Sequence, residues 1–414
     1  MGISAQIFLF PPPPHRFHHN NEKAFPLQIP HLLEFKPRLT DHPTPVKRLQ
    51  MTIGAATTDH GYDRATAVKQ FDDSKIGVKG LVDSGAATIP PFFVHPPENL
   101  PNSTPSTTSS ASVIPIVDLT GIDSDRRSHI GEQIRDAARE FGFFQVINHG
   151  VPSDVINGTI GAMKAFNEQP TEVKSQFYHR EMGRGVSFST NFDLFRSKAA
   201  SWRDTVQMKL GPTPPPLEQI PEIFRREALD WDEHVKRLSE VLMGILSEGL
   251  GVKTERLKEL SFLEARVTVA HYYPYCPQPD LTMGLTSHSD PGALTVLVQN
   301  HVGGLQVKHG DEWLDVKPVP DAIVINIGDI LQIVSNNEYK SVEHRVLANP
   351  EQDARISIAI FLNPSKREDL YGPLPELISP EKPALFRQFT LTEYMQRFFS
   401  KELDGKSLIN FFSL

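Results

Sequence analysis

Apolar positions along this chain follow two periods, and the change from one to the other falls near residue 265. Before it, "RRSHIGEQIRDAAREFG" has helical spacing with Gly142 as its stop, and it lies between the strand-like "IPIVDL" and "FFQVINHG". That is a strand, helix, strand unit. Further helical stretches are predicted at 153–168, 170–179 and 222–250, the last ending on the glycines of "HVKRLSEVLMGILSEGLG". Beyond residue 265 the pattern becomes short alternating runs: "RVTVAHYY", "ALTVLVQ", "GLQVK", "WLDVK", "AIVINI", "DILQIVS", "KSVEHRVL" and "RISIAIFL". Turn signals such as Gly303-Gly304, Gly328-Asp329 and Asn349-Pro350 separate them. The expectation is a mainly β, α+β protein whose strands form a sandwich or a double-sheet jelly roll, flanked by helices and closed by a helix in "FTLTEYMQRFFSKELDG". No internal repeat is visible.

The amino-terminal part has a different texture. Prolines in "FPPPPHRFHHNN" and after it break any helix, so residues 1–60 read as a disordered extension or a transit segment. "AQIFLF" lacks the basic leader of a secretory signal. Serine is nearly absent before residue 50, which argues against a transit peptide, while the excess of basic over acidic residues keeps a plastid address open beside a cytoplasmic one. Met51 opens a segment that reads as an alternative start. Residues 61–112 are expected to hold a short helix from Tyr62 and a Pro/Ser/Thr-rich linker over 89–112. A mixed helical region over 113–255 and a jelly-roll core over 256–414 complete the division.

Bulk composition narrows the partners. The formal charge is −8, with 42 basic and 50 acidic residues, so a nucleic-acid footprint is not expected. No stretch approaches the roughly 18 apolar residues of a membrane span. The chain reads as a soluble monomer acting on a small molecule. Its single cysteine, Cys276, excludes an internal disulfide and every zinc site built on two thiolates. Any metal must therefore be held mostly by histidine and carboxylate.

Such a set is present. In "TSHSDPGALTVLVQ", His288 and Asp290 stand two apart where a strand is expected to begin, so in extended backbone both would face one side. His344, in the alternating "YKSVEHRVL", is the natural third ligand, because His301 and His309 sit in turn-like segments. Two histidines and one carboxylate occupy one face of an octahedral metal and leave three positions for reactants, the arrangement of non-haem Fe(II) oxygenases. The ligand types alone also allow zinc or manganese. Downstream, Arg355, Ser357, Ala359 and Phe361 of "RISIAIF" share one face, and an interior guanidinium beside a hydroxyl is shaped to hold a carboxylate. Tyr273 of "HYYPYCPQP" could add a phenol, although a core phenol is the plainer reading, and Arg355 could instead pair with an internal acid. Phe192, Phe195 and Phe361 are candidate walls of a substrate pocket or ordinary packing. His149 reads as fold architecture.

From about Gly61 to its end the chain resembles the plant 2-oxoglutarate/Fe(II)-dependent dioxygenases, specifically the 1-aminocyclopropane-1-carboxylate oxidase homologues. "FGFFQVINHGVP", "NFDLFRSKAASWRDT", "HYYPYCPQPDLTMG", "HSD" and "RISIAIF" carry the resemblance, with the long stretch "GGLQVKHGDEWLDVKPVPDAIVINIGDILQIVSNNEYKSVEHRVLAN". It implies a distorted double-stranded β-helix, metal ligation by His288, Asp290 and His344, and a 2-oxoglutarate clamp at Arg355 and Ser357 assisted by Tyr273. It further implies Fe(II) and 2-oxoglutarate, with ascorbate as an accessory reductant, and dioxygen consumed in hydroxylating, demethylating or desaturating a plant specialised metabolite. The chain departs from the family at His271, where asparagine is usual, and in the turn "ANPEQDAR", which is one residue longer than is common. Ser289 and the lack of a basic carboxy-terminal motif separate it from the ethylene-forming enzymes. Two other classes stay open on the residues alone: a catalytically silent jelly-roll binder and a zinc hydrolase on the same barrel.

Overall fold

The computed structural model describes residues 62–101, 113–181, 185–192, 194–400 and 407–414. The segment called a disordered or transit extension lies outside them. Helices α1 (Arg64–Ser74) and α2 (Gly77–Asp83) lead into strand β1 (Ile116–Asp118), helix α3 (Arg127–Glu140) and strand β2 (Phe143–Ile147). Helices α4 (Ser153–Asn167) and α5 (Thr171–Lys174) precede β3 (Val186–Ser189) and β4 (Asp204–Lys209), and the long α6 (Glu222–Gly249) follows. Next come β5 (Ala265–Tyr273), β6 (Met283–His288), β7 (Leu294–Gln299), β8 (Leu305–His309), β9 (Glu312–Asp315) and β10 (Ile323–Ile327). Helix α7 (Asp329–Val334), β11 (His344–Leu347), β12 (Arg355–Asn363), β13 (Leu370–Tyr371), β14 (Phe389–Thr390), α8 (Leu391–Phe399) and α9 (Ser407–Phe412) end the order.

Among the described residues the strands form an eight-stranded sheet in the order β1-β2-β10-β7-β12-β5-β4-β3 and a four-stranded sheet β6-β11-β8-β9, with β13 and β14 pairing separately. The large sheet takes strands from both sides of residue 255. One phase of each strand faces helices: Val206 and Met208 of β4, Val296 and Val298 of β7, and Ile356, Ile358 and Ile360 of β12 share a core with Ile130 and Ile134 of α3 and Trp231 and Leu242 of α6. In α3 the buried residues Ile130, Ile134, Ala137 and Ala138 repeat at helical spacing, which is why this stretch is a helix lying on a sheet. The other phase faces the small sheet, where Phe143, Tyr273 and Val324 meet Leu285, Leu305, Val307 and Val346. Two sheets packed face to face with helices behind the larger one are the expected jelly roll.

Three local expectations need correction. "DILQIVS" is helix α7, not a strand: all its helical residues are buried, the polar Asp329 and Gln332 included, so no face is left to solvent and the pattern carries no period to tell helix from strand. Residues 89–101 are not a linker. Ile89, Phe92 and Phe93 are buried, Phe93 packs edge-on to Trp202 at 5.0 Å, and Ala200 donates a backbone hydrogen bond to Phe92. His288 ends strand β6 rather than beginning β7. The preceding "MGLTS" has little apolar alternation because Gly284 is needed where a Cβ would meet the Leu347 carbonyl oxygen at 2.6 Å. The parallel β1–β2 pair joined through α3 is the strand, helix, strand unit.

At the amino-terminal edge, the buried Asp204 of β4 accepts hydrogen bonds from the Val78 and Lys79 backbone N–H groups of α2, each at 2.8 Å, and from the Thr190 hydroxyl at 2.6 Å. Between α3 and β2, Gly142 has φ of +64°, and a Cβ there would come 2.1 Å from the Lys340 carbonyl oxygen. Replacing Gly142 with alanine combines a left-handed backbone with a backbone clash, so a loss of about 3 kcal/mol of stability is expected. Urea unfolding of Gly142→Ala checks this, and a midpoint unchanged from the parent would refute it.

Candidate metal centre

His288 and His344 are directly opposite each other in the antiparallel β6–β11 pair, their rings 4.2 Å apart at 50°. Asp290 follows two residues beyond the end of β6. Its Oδ1 lies 3.6 Å from Nε2 of His288 and 3.6 Å from Nε2 of His344, and one ligand atom from each residue falls within 4.8 Å of the others. The other carboxylate oxygen is occupied. Oδ2 accepts hydrogen bonds from Thr295 Oγ1 at 2.6 Å on β7 and Asn326 Nδ2 at 2.7 Å on β10. The large sheet thus aims Asp290 and leaves Oδ1 toward the imidazoles.

The histidines are oriented the same way. His288 Nδ1 lies 2.8 Å from the Thr286 carbonyl oxygen, which can only accept, so Nδ1 carries the proton and Nε2 the lone pair. His344 Nδ1 makes the corresponding contact with the Val342 carbonyl at 3.4 Å, and its ring packs against Phe143 at 5.1 Å. Burial, reinforced by the adjacent His344, pushes His288 well below the ordinary imidazole range, partly offset by Asp290. Burial alone would raise Asp290, but the two imidazoles and the Thr295 and Asn326 hydrogen bonds hold it below the usual carboxylate value. A neutral His288 imidazole facing an ionised Asp290 carboxylate is the protonation pattern that a divalent metal needs.

Beside the triad lies a buried polar patch on the inner face of the large sheet. Arg355 and Tyr273 are direct partners across β12 and β5, as are Ser357 and His271, and Gln299 of β7 pairs with Ser357 from the other side. Arg355 is fully buried. Its Nη1 donates to the Val302 carbonyl at 3.1 Å, whereas Nε and Nη2 have no hydrogen-bond partner, and neither amide atom of Gln299 has one. The Tyr273 hydroxyl is likewise unsatisfied. Burial lowers Arg355 somewhat from its ordinary value, without removing the charge of a group that stays protonated in proteins. Burial raises the Tyr273 phenol, and Arg203, Arg355 and the neighbouring Ser357 hydroxyl pull it back. An unpaired interior guanidinium with hydroxyl and amide groups around it fits a carboxylate ligand, since leaving such donors unmet costs about 1 to 3 kcal/mol each.

Phe361 shares the face of Arg355 and Ser357, nearer the open end, and is half-buried. Phe192 and Phe195 lie on the β3–β4 connection at 49% and 52% exposure, so they are not brought into the interior beside the triad, and the Arg180 guanidinium covers the Phe195 ring at 5.4 Å. His149 bonds the Asp321 carbonyl through Nε2 and receives the Val151 N–H at Nδ1, which is an architectural role. Sequence reasoning missed Thr295, Asn326 and Gln299, each on a recognised strand but with no spacing signal to say which strands become neighbours. It also noted His271 only as a departure. That ring is half-buried, hydrogen-bonded to the Thr205 hydroxyl at 3.0 Å, and held well below the ordinary imidazole range by desolvation and then Arg203, His288 and Arg355.

Two packed β-sheets with two histidines and a carboxylate at one point define the class of facial-triad non-haem iron oxygenases. Comparison with known proteins agrees. The 2OG-Fe(II) oxygenase superfamily profile matches residues 265–364, and the profile for the non-haem dioxygenase in morphine synthesis N-terminal region matches residues 114–227. The chain is 46% identical over 349 residues to 1-aminocyclopropane-1-carboxylate oxidase homolog 1 of Arabidopsis thaliana, covering 83% of this chain and 95% of that protein. It is 41% identical over 358 residues to the homolog from Solanum lycopersicum, covering 85% and 97%. Among solved structures, JOX2 in complex with 2OG, Fe and JA matches with a TM-score of 0.71 at 32% identity, covering 82% of this chain and 97% of that one. The rice dioxygenase for auxin oxidation shares the fold, with a TM-score of 0.63 at 24% identity over 73% and 100%. The chain belongs to the plant 2-oxoglutarate/Fe(II)-dependent dioxygenases, in the group of 1-aminocyclopropane-1-carboxylate oxidase homologues. It is an oxidoreductase whose cofactors are Fe(II) and 2-oxoglutarate.

Because Thr295 and Asn326 aim the metal-facing oxygen of Asp290, removing their hydrogen bonds should weaken metal binding without deleting a ligand. Thr295→Val and Asn326→Leu are each expected to lower Fe(II) or Co(II) affinity by about 10- to 100-fold. Anaerobic metal titration reads this directly, and parental affinity in both variants would show that Asp290 needs no such support.

Proposed function

We propose that this protein hydroxylates a small plant specialised metabolite, with demethylation and desaturation as variants of the same C–H oxidation. When bound at His288, Asp290 and His344, Fe(II) with 2-oxoglutarate supplies the oxidising chemistry: dioxygen and the keto acid become succinate and CO2, and one oxygen atom enters a substrate C–H bond. The chain's own residues do the rest. Asp290 and the two histidines would hold the metal. Arg355, with Ser357 and Tyr273, holds the distal carboxylate of the co-substrate through charge-assisted hydrogen bonds. Half-buried Val267, Val269, Leu297 and Phe361 offer an apolar surface toward the open end, which excludes water and fixes the orientation of a bound molecule.

The observation that carries this reading is the buried Arg355 with two N–H-bearing nitrogens unmet beside the triad. A zinc hydrolase on the same barrel would have no use for that cation. A silent binder on this fold should show erosion of the ligand set, whereas His288, Asp290 and His344 are all present and brought together. The likeness to JOX2, a structure holding 2OG, Fe and JA, supports an organic substrate taken beside the co-substrate.

Anaerobic titration of the Fe(II)-loaded protein with 2-oxoglutarate tests the reading through the weak visible charge-transfer band of a keto acid chelating iron. The band is expected in the parent, and Arg355→Ala should need roughly a hundredfold more 2-oxoglutarate to develop it, with Arg355→Lys between the two. Bound metal without any band would sink the oxygenase reading. A band with an unaltered midpoint in Arg355→Ala would move the carboxylate site elsewhere.

A further inference from the structure

Thr205 of β4, His271 of β5, Ser357 of β12 and Gln299 of β7 stand level with one another across four strands of the large sheet. Direct partners in a sheet point the same way, with Cβ atoms about 5 Å apart. Val296 and Val298 take the helix-backed phase of β7, so Gln299 faces the interior beside Ser357. The two ends of this polar row differ. At one end the Thr205 hydroxyl bonds the His271 ring at 3.0 Å. At the other, Gln299 is half-buried as a residue, yet both its amide atoms are shut off from solvent and neither has a hydrogen-bond partner among the described residues. An amide enclosed in this way is less favourable than an apolar side chain of the same size, so its place in the interior calls for a ligand.

The surroundings of that amide identify the ligand's chemistry. Ser357 lies directly opposite it. Arg355, on the same face of β12, sends Nη1 to the carbonyl oxygen of Val302, on the chain that leaves β7 just after Gln299, so the guanidinium and the amide converge on one end of the cavity. The Nε and Nη2 of Arg355 are unmet there. An anion taken by Arg355 and Ser357 therefore lies beside an amide whose NH2 can be turned toward it by a half-rotation. The next inward residues, Leu297 on β7 and Ala359 on β12, are level with each other and apolar, which confines this polar contact to the closed end.

We propose that Gln299 is a co-substrate-binding residue: its amide N–H donates to the distal carboxylate of 2-oxoglutarate alongside Arg355 and Ser357, and so helps to select a keto acid that carries a second carboxylate. The proposal rests on the oxygenase reading above and adds to it a contact from β7. Thr295, which aims Asp290, lies on the same inward phase of β7, so one strand then sets both the metal ligand and the far end of the co-substrate.

Calorimetry on the full-length protein loaded with Co(II), which binds without turnover, tests this with two probes. One is 2-oxoglutarate, and the other is oxalate, which chelates a metal but has no arm to reach Arg355. Gln299→Met is expected to weaken 2-oxoglutarate about tenfold and to leave oxalate and Co(II) affinity as in the parent. Gln299→Glu, nearly the same size, puts a carboxylate beside Arg355 that can pair with it and exclude the co-substrate, so a loss of about a hundredfold or more is expected, again with oxalate unchanged. A merely structural glutamine would move both probes together. If Gln299→Met binds 2-oxoglutarate within threefold of the parent, if oxalate weakens by the same factor, or if Gln299→Glu binds 2-oxoglutarate as tightly as Gln299→Met, the proposal is overturned. Failure of the parent itself to bind 2-oxoglutarate overturns the oxygenase reading, whereas parental binding that survives in Gln299→Met overturns only the role of Gln299.

Discussion

The buried carboxylate of Asp290 is the constraint around which the interior is arranged. A carboxylate taken out of water must be repaid by hydrogen bonds and opposite charge, and Asp290 divides the two tasks between its oxygens. Oδ2 is satisfied by the large sheet through Thr295 and Asn326, while Oδ1 faces two imidazoles supplied by the small sheet. The backbone joins in as well, since the Asp290 carbonyl accepts the Asp329 N–H at 2.8 Å and so seats α7 beneath the site. One side chain therefore fixes the spacing of both sheets at the point where the metal is held.

The rest of the site follows from strand phase. Because alternate residues of each strand point to opposite faces, the same strands that build the helix-backed core present Arg355, Ser357, Tyr273, His271 and Gln299 to the interior. The closed end of that interior has cationic and hydrogen-bonding groups left unmet, and the open end is half-exposed. A one-residue slip of β12 would exchange Arg355 for Ile356 and put a charge against the helices. The long turn before Arg355 leaves the register intact: Arg355 lies opposite Tyr273 and Ser357 opposite His271.

Much of this was legible in the sequence, and the exceptions have physical causes. β7, β10 and β12 were readable because their core-facing phase is uniformly apolar, and β5 because it is rich in β-branched and aromatic residues. α7 was misread because a short run buried on all sides has no period. β6 was overlooked because Gly284 and its polar neighbours serve close backbone approach rather than core packing. β3 and β4 were overlooked because both phases of so short a strand look unremarkable when one of them faces a polar cavity. The triad was readable from residue type and spacing, as was the approach of Arg355 and Ser357 to one face. The partners of Asp290 were not, because Thr295 and Asn326 become its neighbours only when β7 and β10 pair.

The Asp204 carboxylate, clasped by the first turn of α2, lies between inward-facing Arg203 and Thr205 on the same ribbon. A strand moves as a unit, so any shift of that clasp is transmitted to the cavity wall, while both histidine ligands hang from β6 and β11 on the opposite sheet and Asp290 is held by β7 and β10, strands that do not pair with β4. Gene duplicates of this fold can therefore diverge through their amino-terminal helices, retuning what the cavity accepts while the reactive centre is inherited unchanged.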